Sequence, residues 1–235
     1  MPEIDDHGQA VGDVVAGWEE RPRPEPVTLE GRYVRVEPLS SAAYADLYAA
    51  TCGPDDGRLW TYRTIGRPGS LAELWMHLAG VVDTPDTLTF ALVPTEGERA
   101  GLATGIAAYA AVVPAHGSIE IGGVLFGRTL QRTRAATEAL HLLMRHALDT
   151  LGYRRLEWKC DSLNEPSRRA AARLGFTYEG RFRHHLVVKG RNRDTDWFSV
   201  TAEEWPVVRA AHERWLDPGS FDADGRQLTS LRVRS

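Results

Sequence analysis

The chain has 235 residues, 43% of them hydrophobic and 26% charged, with 28 Lys+Arg against 32 Asp+Glu and a net charge of −4. That balance gives no global pull toward nucleic acid. Two well-separated cysteines, Cys52 and Cys160, with no CxxC or Cys/His spacing, exclude a disulfide framework and a zinc site. No apolar run approaches the roughly 20 residues a membrane span needs, and the acidic, polar start MPEIDDHGQA is unlike a secretory leader. The expectation is a cytoplasmic protein with no membrane partner and no metal.

Residues 1–26, polar and carrying the proline comb RPRPEP, read as a flexible N-terminal arm. The domain is expected to span 27–205. It opens on a strand, VTLEGRYVRVEPL, then a helix in SSAAYADLYAATCG capped by Ser40 or Ser41, a loop over 54–69, and a second helix in SLAELWMHLAGVV. Three strands in meander order follow, TFALVP, GLATGIAAYAAVV and SIEIGGVLF, with antiparallel pairing implied by their short turns.

A long amphipathic helix is expected over about 131–151, with Ala136, Leu140, Leu143, Met144, Ala147, Leu148 and Leu151 on one face. The strand RRLEWKCD comes next, and passing from SIEIGGVLF to it through a helix demands a parallel, right-handed crossover. Then come a helix in NEPSRRAAARLGF, a strand FTYEGRFRHHLVV, a turn KGRNRDT and a strand DWFSV. A terminal helix in AEEWPVVRAAHERWL, broken near Pro206, and a loose tail complete 206–235. The fold class is α/β, as an α+β mixed sheet flanked by helices.

Three places carry chemistry. The start of the long helix, Gln131, Arg132, Thr133, Arg134, Ala135, Ala136 and Thr137, offers small and hydroxyl residues beside amides able to hold an anion. The absence of GxxxxGK[ST] and GxGxxG argues against a P-loop or a dinucleotide site. Glu120 is a carboxylate inside an apolar strand, placed by strict alternation with Gly122, Val124 and Phe126, with Ile119, Ile121, Gly123 and Leu125 opposite. Asn164 and Ser167 open the second helix, as an N-cap and a hydroxyl at its mouth. His184 and His185, adjacent on a strand, face opposite ways. Cys160 belongs to a buried face.

The order IEIGG, then Gln131 to Ala136 matching Q/R-x-x-G-x-G/A, then N-x-x-S at Asn164 and Ser167, then Leu174-Gly175-Phe176, resembles the GNAT superfamily of acyl-CoA N-acyltransferases over about 27–205. The branch it resembles contains the ribosomal-protein N-terminal acetyltransferases. The resemblance implies a V-splayed sheet with pantetheine beside Val124 and Leu125, and phosphates on the amides from Arg132 to Thr137. It further implies acetyl-CoA (or another acyl-CoA) as co-substrate, Glu120 as general base and Ser167 as general acid. The acceptor is then a small-molecule or peptide/protein amine, and the protein, as often in that branch, a homodimer. Arg134 stands at a glycine position and must either point away from the phosphates or pair with one. Ala171 stands where many members carry a tyrosine. Three other readings remain open: a non-catalytic acyl-CoA-binding or sensing domain, a larger acyl or aminoacyl donor, and an RNA-facing role for the arginines of 181–193 and the terminal RVRS. The loop with Arg58, Trp60, Tyr62 and Arg63 is expected to line the acceptor side.

Overall fold

The computed structural model describes residues 3–82, 84 and 86–233. A two-residue hairpin, β1 (Glu3–Ile4) with β2 (Ala10–Val11), stands apart from the main sheet. The main sheet begins with β3 (Leu29–Glu30) and β4 (Val34–Pro38), which pair antiparallel. The single strand expected over VTLEGRYVRVEPL is therefore a tight hairpin. Its turn is stabilised from outside: the backbone N–H groups of Arg32, Tyr33 and Val34 all donate to the Glu138 carboxylate, at 3.0, 2.6 and 3.0 Å.

Helix α1 (Tyr44–Thr51) follows a 3₁₀ turn, and Ser40 gives it no side-chain cap. The 54–69 segment contains a 3₁₀ turn at Asp56–Trp60, and α2 (Leu71–Val82) begins just after Ser70. The antiparallel meander expected from the short turns is present as β5 (Leu88–Pro94), β6 (Gly105–Val113) and β7 (Ser118–Phe126). Helix α3 (Arg134–Arg145) continues into a π turn at His146–Thr150, so the regular helix is shorter at both ends than its apolar period suggested.

The crossover returns through β8 (Arg155–Asp161), parallel to β7 as expected. Helix α4 (Glu165–Arg173) leads to the long hairpin β9 (Thr177–Val188) and β10 (Arg191–Thr201). Its turn is only Lys189-Gly190, both at positive φ, rather than the whole of KGRNRDT. Helix α5 (Trp205–Leu216) is unbroken: Pro206 sits in its first turn, where a missing N–H costs nothing. The tail expected to be loose has Phe221 and Leu231 buried, and the Trp215 indole donates to Thr229 O at 2.9 Å.

The sheet order is β3-β4-β5-β6-β7-β8-β10-β9, with β7–β8 parallel and the other pairs antiparallel. One core lies on the face covered by α3, α4 and α5 and includes Tyr109, Ile119, Ile121, Leu143, Leu156 and Trp158. A smaller core lies on the other face under α1 and α2, around Leu47, Trp60, Leu74, Leu78, Ile106 and Leu125. Residues 18–22 of the N-terminal segment touch the domain: Trp18 Nε1 donates to Ala115 O at 3.0 Å, and Tyr153 donates to Pro22 O at 3.1 Å.

Candidate active site

The parallel seam between β7 and β8 is short. Ser118 pairs with Arg155, Ile119 with Leu156 and Glu120 with Glu157, and there the pairing ends. Beyond Glu120 the two strands diverge, which leaves a V-shaped opening between the last residues of β7 and those of β8. Glu120 stands at its apex.

A bulge in β7 decides which side chains face which way. Gly123 has φ +62, and the register with β6 shifts between Ile106–Leu125 and Ala108–Gly122. The extra residue inverts the alternation. Ile119, Ile121, Val124 and Phe126 thus pack on the α3 side, and Leu125 on the α1–α2 side. The grouping of Glu120 with Val124 and Phe126, expected from strict alternation, is corrected: Glu120 shares its face with Gly122 and Leu125. Val124 and Leu125 flank the opening from opposite faces.

Glu120 is largely enclosed, with 14% of its side chain exposed, and its Oε2 lies 3.0 Å from Lys159 Nζ. Lys159 also reaches Glu157 at 3.0 Å and lies 4.1 Å from the Trp197 ring centroid. Burial raises the Glu120 pKa, and the Lys159 ammonium works against it. The result is a carboxylate whose proton affinity is lifted while a cation keeps its ionised form accessible. The charged face of β8 continues through Arg155, which pairs with Glu157 at 2.8 Å and with Glu179 at 2.6 Å.

Ser167 approaches from the opposite face. Trp158, the neighbour of Lys159, donates its indole N–H to Ser167 Oγ at 3.0 Å. The hydroxyl therefore accepts from Trp158 and retains its own proton. Asn164 caps α4 by accepting from Ser167 N at 3.3 Å, so it serves the helix start as its residue type suggests. Ala171 is fully buried in the core.

At the start of α3 the cap is Thr133, whose Oγ1 accepts from Ala136 N at 3.1 Å. Thr137 N donates to Thr133 O at 3.4 Å. The N–H groups of Arg132, Thr133, Arg134 and Ala135 have no hydrogen-bond acceptor among the described residues. The open amides thus end at Ala135, where the sequence had suggested a run to Thr137. Arg132 adopts φ +62, a conformation uncommon for a residue with a side chain, in the turn that leads into the helix. Gln131 Nε2 donates to Phe126 O at 2.9 Å. Arg134 points away from these amides: its Nε and Nη2 meet the Glu96 carboxylate at 2.5 and 2.6 Å, and its guanidinium lies 4.3 Å from the Tyr33 ring centroid. Small alanines at 135 and 136 and open amides are a donor set that fits a pyrophosphate.

The 54–69 segment crosses the opening. Tyr62 donates its hydroxyl to Leu163 O at 2.8 Å, on the β8 side, while Arg63 Nη1 donates to Gly123 O at 2.7 Å, on the β7 side. Lys189 Nζ, from the β9–β10 turn, donates to Trp60 O and Thr61 O at 2.9 and 3.0 Å. Trp60 itself is 1% exposed with its indole on Thr51 O at 2.8 Å, so it is a core residue and not part of an acceptor surface. Arg58 is exposed.

Sequence reasoning missed Lys159 and Trp197. Lys159 looked like the solvent side of an alternating strand, and only its pairing across the seam reveals its partner. The β9 bulge at His184, φ +52, leaves His185 Nδ1 2.9 Å from Thr195 Oγ1 and 6.3 Å from Trp197 between ring centroids. Arg181, in the cluster considered for RNA, is committed to Asp196 at 2.6 Å. Of RVRS, Arg234 and Ser235 lie outside the described residues. Among the described residues no group of three His, Cys, Asp or Glu could hold a metal ion, and no helix is long and apolar enough to cross a membrane.

Comparison with known proteins agrees with this architecture. Residues 34–177 match the family model of the acetyltransferase (GNAT) domain. A GCN5-related N-acetyltransferase from Brucella melitensis is 44% identical, with a TM-score of 0.88 over 92% of this chain and 97% of that one. A probable acetyltransferase (GNAT family) from Chromobacterium violaceum ATCC 12472 is 37% identical, with a TM-score of 0.77 over 88% of this chain and 100% of that one. RimL, a ribosomal L7/L12 alpha-N-protein acetyltransferase, shares the fold at 17% identity, with a TM-score of 0.64 over 74% of this chain and 94% of its own. No curated protein matches the sequence. With its mixed sheet opening beyond Glu120 and a family match over more than half its length, the chain belongs to the GNAT acetyltransferase family.

Proposed function

We propose that the protein is an N-acyltransferase that moves an acetyl group from acetyl-CoA to a primary amine by direct attack within a ternary complex. The observation that carries this reading is the end of the β7–β8 pairing at Glu120, which sets an enclosed carboxylate at the apex of an opening flanked by the free amides of Arg132 to Ala135. When bound, acyl-CoA supplies an activated thioester carbonyl. The amides from Arg132 to Ala135 hold its phosphates, and the β7 backbone near Val124 polarises the carbonyl.

Glu120 Oε takes a proton from the attacking amine. An amine of pKa near 10.4 is neutral in only about one molecule in 2,500 at pH 7, and one near pKa 8 in roughly one in ten. The raised proton affinity of Glu120 suits it to this work, which is worth about 10²–10⁴-fold. Ser167 Oγ, held by Trp158, donates its proton to the departing sulfur. The acceptor is a small-molecule or peptide/protein amine; RimL, which shares the fold, is a protein alpha-N-acetyltransferase.

The experiment is a thermal-shift series on the full chain with acetyl-CoA, longer acyl-CoAs, CoA and NAD, followed by amine screening with Glu120→Gln as control. Ligand at 100 times Kd adds about 2.7 kcal/mol, which for this size is roughly 5–11 °C in Tm. A shift with acetyl-CoA and none with NAD supports the donor. Glu120→Gln should lose turnover while keeping that shift. Acetyl-CoA binding without transfer to any amine would favour a sensing domain. A shift with only the longer acyl-CoAs would change the acyl group, and none with any CoA would overturn the reading.

A further inference from the structure

The loop at the start of α3 lacks a free guanidinium at position 134, because Arg134 is held by Glu96 and packed against Tyr33 and Phe221. Cationic groups without acidic partners lie instead nearby, in a cavity of about 240 Å³ between the C-terminal end of α4 and the C-terminal segment. Arg173, Gly175, Phe176, Leu231 and Arg232 are among its walls, and no acidic side chain lines it. The volume is below the roughly 300–1,000 Å³ of sites that enclose a whole drug-sized ligand, and suits one end of a long one.

The cavity adjoins the first turn of α3. Arg173 Nη1 donates to Thr137 Oγ1 at 3.1 Å, and its guanidinium lies 4.7 Å from the Trp215 ring centroid. Arg173 has no carboxylate partner among the described residues, and burial lowers its pKa, so its charge is held at a cost that an anion would relieve. Arg232 likewise has no ion-pair partner among the described residues. Its backbone is held on both sides: Leu231 is 7% exposed, and Val233 packs against Gly175, where an added Cβ would meet Val233 Cγ1 at 2.8 Å. Gly175, at φ +91, is what allows the segment to come so close. Two arginines lining one cavity, with no acidic side chain beside them, suit a phosphate monoester dianion.

We propose that this cavity receives the 3′-phosphorylated ribose of coenzyme A, with Arg173 and Arg232 supplying its counter-charge. The inference rests on the acyl-CoA reading above and extends it to a residue of the C-terminal segment, outside the stretch that matches the family model. It makes the protein selective for the 3′-phosphate, a group remote from the thioester.

The test is calorimetric titration of the full chain with CoA and with 3′-dephospho-CoA at one fixed, low salt concentration. CoA should bind tighter by about tenfold or more, the scale of a charge-assisted hydrogen bond. Arg232→Gln, at an exposed position with its Tm checked, should weaken CoA and leave the Kd of 3′-dephospho-CoA unchanged. Arg232→Lys should restore part of the preference. Equal affinities in the unmodified protein, or a preference untouched by Arg232→Gln, would overturn the assignment while the acyl-CoA reading stands. Binding of neither ligand would overturn both.

Discussion

Glu120, on the last paired rung of the β7–β8 seam, and Lys159, two residues past that rung on β8, face each other at 3.0 Å. The pairing couples the candidate base to a cation. Burial raises the Glu120 pKa and Lys159 lowers it. Removing the ammonium by Lys159→Met should therefore raise the Glu120 pKa further. The acid limb of kcat/KM, which reports ionisation of the base in the free enzyme, should move to higher pH. Activity should fall more at pH 6 than at pH 8, while Lys159→Arg keeps the limb in place. An acid limb that does not move would separate Glu120 from the ionisation that controls the rate.

Arg134 stands in the phosphate-loop pattern but points at Glu96, Tyr33 and Phe221. Arg134→Ala should leave the Kd for CoA within a factor of about three, since in the proposed binding mode the loop contributes backbone N–H groups, not this side chain. The same change should lower stability by about 1 kcal/mol through the lost aromatic contacts and a partly exposed ion pair. Titration and denaturant unfolding on one sample test both halves. A large loss of CoA affinity would mean that the guanidinium leaves Glu96 for the ligand.

Glu138 is a buried carboxylate on α3 that accepts from three consecutive amides of the β3–β4 turn. Glu138→Gln replaces one acceptor oxygen with a donor facing those N–H groups, and should cost about 1–3 kcal/mol. Gly31→Ala should be similarly harmful, because its Cβ would meet Glu138 Oε2 at 2.5 Å and Val34 O at 2.7 Å. Urea midpoints for the two variants would settle this. A neutral Glu138→Gln would show that one amide oxygen serves these N–H groups as well as the carboxylate does.

His141 and His212 pack together at 5.4 Å between ring centroids, beside Trp205. Burial lowers their pKa values to about 4 and about 3, from an ordinary 6.5, with His141 adding to the shift of His212. Both are neutral in the fold and take up protons more readily when unfolded. Their contribution to stability is complete above pH 6.5 and is lost as pH falls toward 4 and below. Unfolding free energy should therefore decline between pH 6.5 and 4, by an upper bound of roughly 6 kcal/mol for the two groups together. The slope in that window should shrink in the double variant His141→Gln, His212→Gln. A slope that persists there would place the acid sensitivity elsewhere.

The element order, the antiparallel meander, the parallel crossover and the acidic strand were all legible, because period-two and helical patterns report which faces are buried. Features set by a single backbone conformation were not. The Gly122-Gly123 pair reads as room beside a strand, yet only a positive φ at Gly123 inverts the alternation and moves Glu120 to the Leu125 face. VTLEGRYVRVEPL reads as one continuous strand because the Glu138 carboxylate that stabilises the β3–β4 turn lies more than a hundred positions away. In sequence Pro206 reads as a break, although a first-turn proline is compatible with the helix. In the candidate site, Glu120, Ser167 and the α3 start were visible as residue types in order. Lys159 and Trp158, which orient the carboxylate and the hydroxyl from adjacent positions on β8, carry no local signal of that work.

The opening beyond Glu120 is an interruption of a hydrogen-bond ladder, not a hollow shaped by loops. Three rungs join the two halves of the sheet in parallel, and Tyr62, Arg63 and Lys189 brace the gap from above. Every further rung would add stability and close the space proposed to hold the acyl donor. Selection for thermal resistance alone should therefore find, among its gains, changes that zip β7 to β8 past Glu120 and silence the enzyme. Screens for sturdier variants of this fold need a count of turnovers beside the melting curve.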